Sequence, residues 1–162
     1  MDRWFTHRLD SRTIGGRLET VKSIWRILAT YYLNLGDRLR ILYWPKDLEL
    51  PSELAFSAYG IRELRDHVLS RREVDHHLVE IIVGPIDNWI INLVVGEDSQ
   101  FRSNICPWFD LSILDQMSNL LFYSHDNGAG TLMKLDENGL QFLADKGLDI
   151  TYLIEQPEFY PG

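Results

Sequence analysis

The segment His77-Leu78-Val79-Glu80-Ile81-Ile82-Val83, then Gly84-Pro85-Ile86-Asp87, then Asn88-Trp89-Ile90-Ile91-Asn92-Leu93-Val94-Val95 decides how this chain is read. Both flanks are rich in Ile and Val, which suit a pleated, half-buried surface. The four residues between them carry turn chemistry. The segment therefore predicts a β-hairpin with a four-residue loop. A second hairpin is expected where Leu120–Ser124 and Thr131–Leu135 flank His125-Asp126-Asn127-Gly128-Ala129-Gly130, since Asn-Gly in a glycine-rich loop favours a tight reversal. Two hairpins in one chain imply a mainly antiparallel sheet.

Helices are expected around these hairpins. Leu18, Val21, Trp25, Leu28, Tyr32 and Leu35 recur every three or four residues and predict a helix over 18–35. Arg17, Lys22 and Arg26 give it a basic second face, and Gly36 is a candidate left-handed cap. A strand over 38–44 ends at Pro45. Ser52 is a candidate cap for a helix through Leu54, Ala58, Ile61, Leu64 and Val68. A short strand is expected near 101–105, and a helix over 111–119 capped by Asp110 or Ser112. Asp136 and Gly147 bracket a helix over 137–146, with Leu140, Phe142, Leu143 and Ala144 facing the core. Ile150–Glu155 closes the series as a strand. The fold class is α+β: one domain over 1–162, an antiparallel sheet with helices packed on it. A doubly wound nucleotide-binding sheet lacks both its alternation of strands and helices and its glycine-rich first turn.

The chain has 162 residues, 45% apolar and 25% charged, the balance of an ordinary globular domain. Cys106 is the single cysteine, so no internal disulfide forms, and a reducing cytoplasm is expected. No signal-like segment is visible, and Trp89–Val95 is too short to cross a bilayer. The net charge of −8 is distributed unevenly. Residues 1–80 hold 13 basic and 12 acidic side chains; residues 81–162 hold 3 and 12. Nucleic acid and anionic membranes, which need Lys and Arg, are disfavoured as partners. A basic protein domain is favoured.

Several groups are candidates for chemistry. Asp75-His76-His77 has metal-ligand residue types, but neighbours on a strand point to opposite faces. Asp87, Glu97 and Asp98 resemble the carboxylates that hold Mg²⁺ in restriction-type nucleases, with Ser99 where those carry lysine. A hydrolase or nuclease using Asp75, His76, Asp87 and Glu97 is thus one alternative, and a non-catalytic assembly subunit another. His125-Asp126 combines base and carboxylate, yet the turn explains both. Gly128-Ala129-Gly130 lacks the lysine and helix start of a phosphate loop. Cys106 has only Arg102 nearby in sequence to activate it. No cofactor and no metal is expected.

From about Leu120 to Glu155 the pattern is a glycine turn (Gly128, Gly130), a strand (Leu132, Leu135), a Leu-rich helix (Leu140, Leu143), Gly147, and a strand ending near Tyr152. It resembles the C-terminal part of small immunity proteins of bacterial toxin–immunity systems. The resemblance implies an antitoxin that binds and blocks one toxin, often a nuclease. On that reading Asp126, Asp136, Glu137, Asp145 and Asp149 form the acidic surface, and Trp89, Trp108 and Tyr123 are its aromatic anchors.

Overall fold

Helix α1, Leu18–Leu35, organises the core. Val21, Ile24, Trp25, Leu28, Ala29, Tyr32 and Leu33 are buried along one stripe, and each fully buried leucine contributes about 1.5–3 kcal/mol. The computed structural model describes residues 5–10, 17–51, 57–100 and 104–159, with backbone only at 76, 98, 100 and 156–159. α1 lies on a sheet of eight strands: β1 Phe5–Leu9, β2 Arg38–Tyr43, β3 Val68–Val74, β4 Leu78–Val83, β5 Asp110–Leu114, β6 Leu120–His125, β7 Gly130–Met133 and β8 Leu153–Phe159. Their order is β3-β4-β2-β5-β6-β7-β1-β8, every pair antiparallel. The fold is α+β, an antiparallel sheet with helices packed on it, as the sequence leads one to expect.

Register explains the burial. Val83, Leu39, Ile113, Phe122 and Met133 stand in one row across five strands, and all are buried beneath the helices. The next row, Ile82, Arg40, Ser112, Tyr123, Leu132 and Arg8, points to the other side. Trp25 meets Phe122 edge-on at 6.2 Å, and its indole N–H donates to the Ser124 hydroxyl at 2.9 Å. Tyr32 donates to the Lys134 carbonyl at 2.5 Å. The basic face expected for α1 is only partly exposed: Arg17 stays exposed at the helix start, whereas the next two turn toward the protein. Lys22 is buried, and the Arg26 guanidinium donates to the Val95 carbonyl.

The deciding segment folds half as expected. Leu78–Val83 is β4, but Asn88–Val95 is helix α2. The Asp87 carboxylate accepts from the Ile90 N–H at 2.9 Å and caps the helix. Ile90 and Val94, four apart, take the core positions, which outweighs the strand preference of Ile and Val. Glu97–Gln100 adds one short turn, α3. The partner of β4 in a hairpin is instead β3, joined through Asp75–His77 with His77 at φ +63°.

Five other expectations are corrected. Where a helix is expected to run through Val68, residues 63–67 form a 3₁₀ turn and a strand begins at Val68; the proposed cap Ser52 and the first apolar position Leu54 lie outside the described residues. Asp110–Leu114 is a central strand rather than a helix start, because pairing to β2 and β6 buries all of Leu111–Leu114. Of the strand expected near 101–105, residues 101–103 lie outside the described residues, and Asn104 and Ile105 form a bend. The final strand starts late, at Leu153, after a 3₁₀ turn over 150–152. Gly36 is extended (φ −83°, ψ 169°) rather than left-handed; a β-carbon there would lie 2.3 Å from Ile113 Cγ2, so close approach to β5 is what requires glycine.

Candidate functional site

Helix α4, Glu137–Asp145, carries the acidic surface. Asp136 Oδ1 accepts from the Gly139 N–H at 2.7 Å and starts it. At Gly139 a β-carbon would fall 2.6 Å from Leu135 Cδ1 and 2.8 Å from the Tyr31 hydroxyl, so glycine lets α4 settle against α1. Leu143 is fully buried and, with Gly139, marks the inner face. The 3₁₀ turn Ile150–Tyr152 packs beside α4.

That packing leaves Phe142 outside. It is 46% exposed, and Ile150 is 41% exposed. The core role expected of Phe142 is therefore corrected: position 142 is one residue, about 100°, from Leu143 around the helix. A helical wheel centred on Gly139 and Leu143 would have shown this. The Phe142 ring touches Tyr31 at 5.3 Å, and Lys146 Nζ stands 5.4 Å over its face. Exposed carboxylates of Asp136, Glu137, Asp145 and Asp149 lie at the cap before α4, on α4 and on the loop that follows it. Among the described residues none of the four forms an ion pair. Asp145 accepts from Gln141 at 2.8 Å. Asp149 accepts from the Thr151 hydroxyl at 2.6 Å and N–H at 3.0 Å, which hold its carboxyl below the usual range.

The other expected members lie elsewhere. Asp126 sits in the β6–β7 turn, at the opposite end of β7 from Asp136. Trp108 cannot reach a partner: it is wholly buried, and its indole N–H donates to the Tyr59 carbonyl at 2.7 Å. Trp89 is exposed, but on α2, stacked on His67 at 4.8 Å with an interplanar angle of 8°. Tyr123 points to the side of the sheet opposite α1, which carries no helix among the described residues.

On that free side Tyr123 stacks between Phe5 (6.4 Å) and His125 (5.4 Å). Its hydroxyl donates to Asp110 Oδ2 at 3.1 Å; burial, then the Asp110 charge, push the phenol up to about 12. Arg40 donates to the Ser112 hydroxyl at 3.1 Å, while its buried Nε has no partner among the described residues. A phenol held neutral on a carboxylate is poorly placed as a base. This row binds strand to strand across β2, β5 and β6.

The carboxylates of the alternative hydrolase set are not gathered, and the His76 side chain lies outside the described residues. Asp75 precedes β4 and Asp87 follows it, so six strand residues, roughly 20 Å, separate them. Glu97 lies beyond α2, about 12 Å further along the helix axis. Among the described residues no group of three or more His, Cys, Asp and Glu side chains is arranged to hold a metal ion. The Gly128 turn packs on the chain: the Cys106 N–H donates to the Asn127 carbonyl at 3.0 Å, and a β-carbon at Gly128, φ +94°, would meet Ile105 at 2.5 Å. Cys106 is buried, and burial pushes its thiol up to about 12. Among the described residues no helix is long and apolar enough to cross a membrane. No family model, curated protein or solved structure matches the chain.

Proposed function

We propose that this chain is a non-catalytic inhibitor that covers a basic protein domain, in the manner of an immunity protein blocking its toxin, with the toxin most readily a nuclease. The observation that carries the reading is the α4 surface: Phe142 and Ile150 exposed among carboxylates at Glu137, Asp145 and Asp149 that form no ion pair among the described residues. An exposed aromatic supplies contact energy, and surrounding charge steers a cationic partner and fixes its orientation. Lys146 over the Phe142 ring already uses that ring as a cation acceptor. A toxin that cuts nucleic acid must present Lys and Arg to phosphates, and the same groups suit these carboxylates. A residue set for turnover is not assembled at α4, so the surface acts by occupancy.

The test is co-expression with the C-terminal domain of the secreted protein encoded next upstream. Protection of the cell and co-purification of the two chains, both lost with Phe142→Ala combined with Asp145→Lys, is the expected result. A neighbouring gene that encodes no such domain, or a domain that this chain neither binds nor restrains, would overturn the reading.

A further inference from the structure

The sheet is open, and its two edges differ. β8 contains Pro157, which has no N–H to offer a further strand. β3 has no proline, and Leu69–Glu73 are exposed. Its one irregularity is a bulge between Val68 and Ser70. Among the described residues β3 pairs only with β4, and a strand of this length with one side of its backbone unpaired is a template for another strand.

Register on β4 assigns the side chains of β3 to faces. Arg71 and Glu73 stand opposite Ile81 and Val79, on the helix-covered side of the sheet. Ser70 and Arg72 stand opposite Ile82 and Glu80, on the open side. Arg72 is bound by both oxygens of Glu80, at 2.8 and 3.2 Å, so its charge is matched within its own chain. Among the described residues neither Arg71 nor Glu73 forms an ion pair.

We propose that β3 pairs with β3 of a second copy of this chain, antiparallel about a two-fold axis through Arg72, joining the two sheets edge to edge. In that register Arg71 of each copy faces Glu73 of the other, so the axis generates two opposite-charge pairs from one strand. Ser70 faces Val74. The Arg72 side chains on the axis meet already neutralised by Glu80. Shifting the register by one residue in each copy, to an axis through Arg71, sets Arg71 against Arg71 and Leu69 against Glu73, which like charge disfavours. A two-fold contact uses one self-complementary patch twice, and Arg71-Arg72-Glu73 is such a patch. One strand pair buries little surface, so the dimer forms and dissociates with concentration.

Sedimentation velocity over a concentration series tests this with purified chain. The wild type is expected to shift from monomer to dimer as concentration rises. Arg71→Glu and Glu73→Arg, each alone, set like charges opposite at both positions and are expected to weaken association about tenfold. Mixing the Arg71→Glu chain with the Glu73→Arg chain restores opposite charges at both positions and is expected to return dimer at wild-type strength. Both positions are exposed, and circular dichroism verifies that each variant is folded. A wild type that stays monomeric throughout, single variants that associate like the wild type, or a mixture that fails to recover would each overturn the proposal.

Discussion

The Trp25 indole N–H donates to the Ser124 hydroxyl at 2.9 Å across 99 residues of sequence, and Ser124 in turn shares a hydrogen bond with Thr131 at 3.1 Å. Both partners are buried, so helix α1 is fixed over β6 and β7 by a polar contact inside an apolar layer. A buried donor left without an acceptor costs about 1–3 kcal/mol. Ser124→Ala is expected to lower unfolding free energy by that amount in urea titrations, with little change in slope. A change below about 0.5 kcal/mol would mean that the indole finds another acceptor.

Asp136 has two separable roles. Its Oδ1 caps α4, and its charge belongs to the exposed acidic rim. Asp136→Asn keeps an acceptor for the Gly139 N–H and removes the charge; Asp136→Ala removes both. Thermal unfolding is expected to show the alanine variant about 1 kcal/mol less stable and the asparagine variant near wild type. Equal losses would assign the stability of α4 to charge at its N-terminus rather than to the cap.

Cys106 reports on the core. Its thiol is buried and, through burial, raised to about 12, so little thiolate exists at neutral pH. In native protein a disulfide reagent is expected to react at least about a hundredfold more slowly than after denaturation. Fast native reaction would show that the loop over 104–109 opens readily.

Wherever local chemistry decides the structure, the sequence is a good guide. The period of α1 between Val21 and Tyr32, the Asp136 cap and Gly147 after α4, and the Asn127-Gly128 reversal all appear where spacing and turn residues put them, while Leu18 and Leu35 at the ends of the expected stripe stay exposed. Errors gather where tertiary pairing outweighs local preference. Asn88–Val95 has strand composition but lies beyond Asp87, whose side chain caps a helix that buries Ile90 and Val94. Leu111–Leu114 has a spacing that fits a helix, yet β2 and β6 flank it on both sides. β1 carries no periodic signal in five residues, and only pairing with β7 and β8 makes it a strand. The acidic half was legible as composition. Its gathering at α4 around Phe142, with Asp126 left at the far end of β7 and Trp108 in the core, depends on packing that no local pattern encodes.

The most direct measurement is the association rate between this chain and the upstream-encoded basic domain as salt is raised, for the wild type and for Glu137→Gln/Asp145→Asn/Asp149→Asn. These substitutions keep the hydrogen-bonding shapes and remove three charges. For the wild type the rate is expected to fall about tenfold between roughly 50 and 500 mM salt, while the neutralised chain starts about tenfold slower and responds weakly. A wild-type rate indifferent to salt, or a neutralised chain that binds as fast as the wild type, would contradict the assignment of α4 as the surface that meets a cationic partner.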